Sequence, residues 1–464
     1  MHSIKPKLCD KGLYSIDVEI LRSSLNCMQT ITKNCSSLSS DCIEIIYSQA
    51  TLIFIEILVN CTLENSSSIV LSNIELVSLF AANIRAVTQH LNEKLASDIM
   101  DIIMKLFFSD DRKIDHEVIK FNSLDSFKPL QVSSSHKQTQ LILIAEAVLG
   151  CMNCKTIRET FSSKSSEFIN KLLTMACNCN DNYSRESAAR CLSAVMNKLD
   201  RNKDTEDLMN SILLALTIIL DGNEKLKKIY AIKVWSWLCK SAVMASHPSM
   251  IQLTDKLIQL LGDPELGEFA SEGFSIIVKD SDKVLNSSSQ GVIMFMFKQR
   301  FFIETSQLLL DGFNSSPEYL KTNFLMALSH QLEFLPNQVL LSETNKLVPV
   351  LVQSLSIHNT SVINSSLQTI VLFMDRNPEA FSSHLQSLTC QLLKLSEYKE
   401  NLTIRKSALA CLKSIAKQPD YLLLPLKSNV ISSLTKRLDD HKRLVRQAAA
   451  DARCEWFLVG APGN

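Results

Sequence analysis

The sequence predicts an all-α protein, a right-handed α-solenoid of stacked helical hairpins. One pattern restarts at Pro336, Pro378 and Pro419, and these intervals of 41 to 42 residues are typical of HEAT repeats. Composition agrees, because 46% of the 464 residues are hydrophobic while only 10 glycines and 11 prolines are available for the turns that a sheet protein needs. Such an array buries each hairpin against its neighbours and presents a long surface to partners.

Each of the three copies is predicted to contain a proline turn, a leucine-rich first helix, a polar turn and a second helix. The first helix of the first copy carries apolar residues at helical spacing, at Leu347, Val350, Leu351 and Leu355. One face of the second helix in the middle copy is likewise apolar, at Ile404, Ala408, Cys411, Leu412 and Ile415. Ala408 is small enough to let a paired helix approach closely, and Ala449 is the matching position in the last copy.

The array is predicted to extend upstream, because residues 182–195 repeat the pattern of small residues around Arg185. We predict irregular helical repeats over residues 1–108, a loop or partly disordered insertion over 109–137, and a C-terminal HEAT array over 138–464. The insertion is predicted because charged residues and serines replace the apolar pattern there.

The protein is expected to be intracellular. Its N-terminal residues lack the apolar core and cleavage site of a secretory signal. The apolar run 43–59 contains Glu44 and Glu56, and is interpreted as a buried helix rather than a membrane span. Because 48 basic residues balance 48 acidic ones, no overall basic field attracts nucleic acid or an anionic membrane. We therefore expect no direct nucleic-acid binding and no membrane association.

Catalytic motifs are absent from the sequence, so no enzymatic activity is expected. It contains no Gly-x-Ser-x-Gly elbow, no His-Glu-x-x-His helix and no Gly-x-Gly-x-x-Gly turn. Residues 262–267 come nearest to a phosphate loop, but Glu268 and Phe269 stand where Lys and Ser or Thr should follow, and two acids inside the loop would repel a phosphate. A turn followed by a helix that starts at a proline is the favoured interpretation.

Two cysteine pairs are candidates for a metal site. Cys151 and Cys154 have the spacing of thiolate ligands, and Cys177, Cys179 and Cys191 follow. The first pair ends an apolar helical run, however, and cysteines commonly fill helical cores. Core packing is the favoured interpretation, with no metal or other cofactor expected. A metal-binding or redox enzyme that uses Cys151 and Cys154 is an alternative.

A charged cluster closes the last repeat and has two interpretations. In the structural one, Asp440 caps the next helix, and Arg405 and Arg446 at helix starts pair with an aspartate of an adjacent repeat. In the functional one, a protein partner binds here with Trp456 as the anchor, because truncating an interface tryptophan can cost about 2 kcal/mol or more. The candidate partner-binding residues are Lys436, Arg437, Lys442, Arg443, Arg453, Trp456 and Phe457.

The same tail resembles the C-terminal end of the methyl-methanesulfonate-sensitivity-nineteen family. The resemblance rests on LDDHKRLVR at 438–446 and ARCEWFLVGAPG at 452–463, and in the same order upstream on LGDPELG at 261–267, EGFS at 272–275 and FKQRFF at 297–302. It covers approximately residues 141–464 and is weaker in the first third. Members of that family carry a further N-terminal HEAT array, so this chain is expected to hold only the C-terminal portion.

The resemblance implies an adaptor with no catalysis of its own, in the cytosolic iron-sulphur protein assembly (CIA) targeting complex. Such adaptors hold a cluster-transfer module, made of a β-propeller subunit and a small cysteine-bearing subunit, through their C-terminal repeats. They bring it to apoproteins of DNA replication and repair, including helicases and polymerases. The resemblance also implies cytoplasmic and nuclear pools of the protein, with spindle association in some members. Another HEAT scaffold, such as a transport receptor or phosphatase scaffold, is the alternative, and homodimer formation is left open.

Overall fold

The computed structural model describes residues 18–33, 40–63, 69–109, 113–121, 123–161, 165–357 and 359–461. These residues are mostly helical and contain no strand. They form two compact units, of which unit 1 comprises Met1–Leu257 with Lys279–Phe297, and unit 2 comprises Ile258–Val278 with Lys298–Asn464. The charged residues 110–112 of the predicted insertion lie outside the described set.

Unit 1 is built from helices α1 to α13 and the first part of α14. Their bounds are α1 Val18–Lys33, α2 Ser40–Ile46, α3 Leu52–Leu63, α4 Ile69–Ser72, α5 Ile74–Thr88, α6 Glu93–Ile103, α7 His136–Thr139, α8 Ile142–Cys151, α9 Cys154–Phe161, α10 Ser165–Asn178, α11 Asn182–Lys198, α12 Lys203–Asp221, α13 Lys225–Ala245 and α14 Met250–Leu261. Helices α1, α5, α8, α11 and α13 pack side by side in that order. They form the layer of second helices expected of stacked hairpins.

Local sequence explains where several of these helices begin. The side chains of Asn73, Asn92, Asp181 and Asn202 each accept a backbone N–H from the first turn of the helix that follows. Such caps satisfy donors that have no partner inside the helix. Apart from Glu146, helix α8 is apolar on all sides, and all of its residues are buried, which makes it the centre of the unit 1 core.

One helical run, Asp41–Leu63, is long and apolar enough to cross a membrane, as is the sharply bent pair His136–Cys151 with Cys154–Phe161 if it is taken as one span. In the first run 61% of the most apolar 18-residue stretch is buried inside the protein, and Leu52 to Thr62 are all buried. The run 43–59 thus packs mainly as a core helix, as predicted, although Ile45 is exposed.

The predicted insertion contains little helix in the part that the structure describes. Between the π-helical turn Met104–Phe108 and α7, the one helical segment in the described residues is the short 3-10 turn Leu124–Ser126. The boundaries of the three predicted segments stay a prediction.

In the residues that the structure describes, unit 2 contains the end of α14, nearly all of α16 and nine other helices. Their bounds are α15 Gly267–Val278, α16 Phe297–Ser315, α17 Glu318–Glu333, α18 Asn337–Ser342, α19 Thr344–Ser354, α20 Thr360–Arg376, α21 Leu385–Leu395, α22 Leu402–Ile415, α23 Asp420–Arg437 and α24 Arg443–Leu458. Helices α15, α17, α20, α22 and α24 pack in that order as the layer of second helices.

The predicted restarts coincide with helix starts in unit 2. Pro336 directly precedes α18, Pro378 opens a 3-10 turn before α21, and Pro419 directly precedes α23. The apolar residues predicted for the first and second helices are buried. Ala408 and Ala449 are fully buried on α22 and α24, which pack together. The predicted α-solenoid of HEAT-type hairpins is confirmed.

The glycine-rich turn before α15 is a capped turn rather than a phosphate cradle. Asp263 Oδ1 accepts the backbone N–H groups of Glu265 and Leu266 at 2.8 and 2.9 Å. The helix begins at Gly267, three residues after the proline at which it was predicted to start. A Cβ at Gly267 would lie 2.2 Å from Asn323 Nδ2, so glycine is required for the close approach of α17.

Candidate partner-binding surface

Three arginines occupy one repeated structural position. Each is the fourth residue of a second helix and donates to two backbone carbonyls of the preceding turn. The contacts are Arg185 Nη1 to the Cys179 and Asn180 oxygens (2.6 and 2.8 Å), Arg405 Nη1 to Tyr398 and Lys399 (2.9 and 3.2 Å), and Arg446 Nη1 to Asp440 and His441 (2.8 and 3.3 Å).

The structural interpretation of the terminal charges holds for Arg405 and Asp440. Arg405 Nε lies 3.4 Å from Asp440 Oδ2 in the next repeat, and both side chains are only 11% exposed. Arg446 bonds carbonyls rather than the predicted aspartate side chain. Asp440 Oδ1 accepts the N–H of Lys442 at 2.9 Å, just before α24, so its cap lies one residue outside the helix.

The exposed candidates fall into two separate groups. Lys436, Lys442 and Arg443 are exposed around the turn between α23 and α24, and are called the turn group below. Phe457 lies near the other end of α24, about 21 Å from Arg443 at 1.5 Å per helical residue. There the guanidinium of Arg453 stacks 4.6 Å from the Phe457 ring centroid and donates to a threonine hydroxyl.

Arg437 is engaged within the protein, because its Nη2 lies 3.0 Å from Glu397 Oε1 and its side chain is 21% exposed. The turn group is therefore the part of the predicted set that is both charged and exposed. Leu444 beside it is 51% exposed, which adds apolar surface to these charges.

Trp456 does not lie on the surface. Its side chain is fully buried, and its Nε1 donates to the Leu412 carbonyl at 2.8 Å. It follows Ala449 and Ala452 along the face of α24 that packs into the core. The prediction that Trp456 anchors a partner is therefore wrong, since a partner cannot reach it in this fold.

The candidate metal ligands pack as core side chains. Cys151, Cys177, Cys179 and Cys191 are buried, and Cys154 is half-buried with its sulfur 3.9 Å from the Gln290 carbonyl. Burial raises the pKa of Cys177 to about 12 and also raises the pKa of Cys151 and Cys191. A buried protonated thiol is a poor ligand and nucleophile. The described residues contain no cluster of three or more His, Cys, Asp or Glu placed to hold a metal.

A buried ion cluster in unit 1 was not predicted. Glu146 of α8 has no exposed surface and receives Arg190 Nε and Nη2 at 2.9 and 3.1 Å, while Arg85 Nη2 lies 3.7 Å away. Burial alone would raise the pKa of Glu146, but Arg190 and then Arg85 outweigh it and hold that pKa below its ordinary value. The cluster joins α5, α8 and α11.

A second unpredicted feature is the segment Lys279–Phe297, called the strap below, which belongs to unit 1. Fully buried Lys198 donates through Nζ to the Gly150, Met152 and Ser289 carbonyls at 2.7, 2.7 and 2.9 Å. Burial lowers the pKa of Lys198 to about 8. Asn197 binds both backbone groups of Val292. The strap is thus fixed along the C-terminal ends of α8 and α11.

Comparison with known proteins assigns the family. Residues 7–416 match the family MMS19_C, described as RNAPII transcription regulator C-terminal. The chain belongs to the MMS19 family. It is 34% identical over 402 residues to the MMS19 nucleotide excision repair protein homolog of Xenopus laevis, covering 86% of this chain and 38% of that protein. For the Homo sapiens homolog the identity is 32% over 391 residues, with 84% and 37% covered.

The extent of these matches refines the resemblance found in the sequence. The match to the MMS19 family starts at residue 7, so the first third of the chain belongs to it as well. It ends at residue 416, before α23 and α24, so the terminal motif lies outside the matched range. The chain spans less than two fifths of the length of these relatives.

Solved structures confirm the fold class. The chain is similar to the structure of Kap121p bound to RanGTP, with a TM-score of 0.52 and 14% identity over 99% of this chain and 45% of that one. At this identity the likeness establishes a shared solenoid fold and not a shared function.

Proposed function

We propose that this chain is a non-catalytic scaffold of the CIA targeting complex, which brings the cluster-transfer module to apoproteins of DNA replication and repair. Membership of the MMS19 family over residues 7–416 is the observation that carries the proposal. The proposed partners are the β-propeller subunit, the small cysteine-bearing subunit and client helicases and polymerases. The proposed location is cytoplasmic and nuclear, with association at the spindle.

The turn group is the proposed contact for the cluster-transfer module. Lys442 and Arg443 are exposed at the start of α24 and lie beside the exposed Leu444. Exposed charges of this kind contribute little to folding, so their replacement changes binding without changing the fold. A partner surface with carboxylates around an apolar centre would complement them.

Affinity purification of the full chain from cells, followed by mass spectrometry, tests this proposal. The wild-type chain is expected to recover the propeller and the small cysteine-bearing subunit. The variant Lys442→Glu/Arg443→Glu should recover less of both at unchanged helical content. The matched variant Lys203→Glu/Lys225→Glu reverses two exposed charges in unit 1 and should recover as much as wild type.

Two outcomes would contradict the proposal in different ways. Recovery of a nuclear transport GTPase without the propeller would favour the transport-receptor alternative. Equal recovery by wild type and by the turn-group variant would keep the scaffold function but place the contact elsewhere.

A further inference from the structure

We propose that the surface formed in unit 1 by the groove between α11 and α13 and by the strap beside it binds an acidic peptide segment that carries a large apolar side chain. The groove is lined by Arg185, Glu186 and Ala189 of α11 and by Tyr230, Lys233 and Trp237 of α13. This site is distinct from the turn group and does not depend on the proposed complex.

The side chains that line the groove carry more positive than negative charge. Arg185 and Lys233 line it together with one carboxylate, that of Glu186. This carboxylate already has a partner, because it lies 3.2 Å from Arg190 Nη1. The chain as a whole is neutral, so this local excess of positive charge marks a place for an anionic partner.

In the ranges that the structure describes, two lysines at the site lack an ion-pair partner, and one arginine nearby has an N–H without an acceptor. Within the described part of the chain, Lys233 and Lys283 have no carboxylate within ion-pair distance. Lys283 is half-buried beside Arg190 and Arg85. Arg85 Nε is buried without a hydrogen-bond acceptor among the described residues. Partly desolvated cations of this kind gain more from an incoming carboxylate than exposed ones do.

The groove itself is nearly filled by its own side chains and leaves room for about one water molecule, about 10 Å³. Ala176, Ala189 and Val234 are buried side chains that line it, and the rings of Tyr230 and Trp237 are partly exposed at its edge. This volume is far below the usual range for a small-molecule site, about 300 to 1,000 Å³, so a metabolite does not fit inside it. A peptide that lies across the surface, with its apolar side chain against the strap, fits better.

The strap extends the apolar surface at one end of the groove. Residues 293–296 are four consecutive exposed apolar residues, and Phe295 is 86% exposed. The strap backbone is held in place here, because Met294 donates its N–H to the Met244 carbonyl at 2.8 Å. Phe297 and Trp237 pack against the same buried cluster, so residues 293–296 adjoin the Trp237 end of the groove. Fixed exposed apolar side chains are typical of a contact for protein side chains.

The observations favour an acidic peptide over a nucleic acid. Single-stranded nucleic acid needs a row of free cations that follows its phosphates, whereas Glu186 lies in the groove and neutralises part of the charge there. From Tyr230 to Met244 α13 extends for about 21 Å, which matches about six residues of extended peptide.

Fluorescence anisotropy with the full chain tests the proposal. The probe is a labelled peptide of about ten residues in which Asp and Glu alternate with Phe and Leu, long enough to cover the groove. The comparison peptide has Lys in place of the acids. Wild type is expected to bind the acidic peptide, and Lys233→Glu/Lys283→Gln should weaken binding about tenfold or more, with a smaller loss at high salt.

Two further variants separate binding from folding. Phe295→Ser alters an exposed side chain and should weaken binding about fivefold while leaving helical content unchanged. Lys203→Glu/Lys406→Gln is the matched charge control, since both lysines are exposed and outside the groove, and it should bind as wild type does.

The proposal is overturned if wild type does not bind the acidic peptide, or binds the lysine peptide equally well. Unchanged affinity in both Lys233→Glu/Lys283→Gln and Phe295→Ser would also overturn it. So would a competition experiment in which a single-stranded oligonucleotide displaces the probe as readily as the unlabelled peptide does. Recovery of the CIA subunits by the groove variants would show that the proposed scaffold function stands independently of this result.

Discussion

The ion pair between Glu146 and Arg190 should be strongly coupled to the stability of unit 1. Glu146→Gln leaves Arg85 without its carboxylate partner and leaves Arg190 with only the partly exposed Glu186. Removal of one partner from such a buried pair costs about 3 to 5 kcal/mol. Arg190→Met should cost less than Glu146→Gln, because Arg85 still faces the carboxylate at 3.7 Å. The double variant should cost less than the sum of the two, with a coupling energy of up to about 3 kcal/mol.

Urea unfolding followed by tryptophan fluorescence measures these effects. Two of the three tryptophans, Trp235 and Trp237, lie in unit 1, so a Trp456→Phe background makes the signal specific for that unit. Glu93→Gln is the matched control, since it removes an exposed ion pair in the same unit and should leave the unfolding midpoint unchanged. Additive single variants, within about 0.5 kcal/mol, would refute the coupling.

Three further predictions concern single residues. Glu146 has a folded-state pKa below its ordinary value of 4.5. Its contribution to the stability of the folded protein is therefore complete above pH 4.5 and is lost as the pH falls through the lower folded-state pKa. Acid should lower the urea midpoint more in wild type than in Glu146→Gln. Trp456→Ala should cost about 3 to 5 kcal/mol of unit 2 stability, measured by thermal unfolding, and an unchanged transition would restore its surface role. Gly267→Ala should cost about 1 to 3 kcal/mol by displacing Asn323, whereas Gly262→Ala, whose Cβ would lie 3.4 Å from the Gln259 carbonyl oxygen, should be nearly neutral in the same measurement.

Repeat-level structure could be predicted from the sequence because equivalent positions recur at one spacing. Ala408 and Ala449 keep the same helical phase in successive second helices, and both are buried where those helices pack. The contact between Arg405 and Asp440 joins consecutive repeats, so one period of the pattern was enough to anticipate it.

The prediction for Trp456 was wrong because it did not take into account the face of the helix on which this residue lies. Trp456 was chosen as an anchor because interface tryptophans contribute strongly to binding. However, Val445, Ala449, Ala452 and Trp456 recur at steps of three and four along α24. That spacing places all four on one face, and all four are buried. The signal that identifies Trp456 as a core residue was therefore present in the sequence.

The buried lysine and the strap could not be predicted in the same way. The hydrogen bonds of Lys198 Nζ go to backbone carbonyls. Every residue has a backbone carbonyl, so no pattern of side chains in the sequence identifies these partners. One of those carbonyls belongs to Ser289, 91 residues further along the chain. The ion pairs of Glu146 could not be predicted either, because its arginine partners lie on two other helices and at no repeated spacing.

The strap also sets the order in which unit 1 can be completed during synthesis. Gln290 donates from Nε2 to the carbonyl of Gln89, and these residues are 201 positions apart. At about 5 to 20 residues per second, a ribosome needs about 10 to 40 s to make the intervening chain. Lys198 is translated about halfway through that interval, 91 residues before Ser289, whose carbonyl accepts its third hydrogen bond. The N-terminal repeats of this protein therefore emerge long before they can reach their final state.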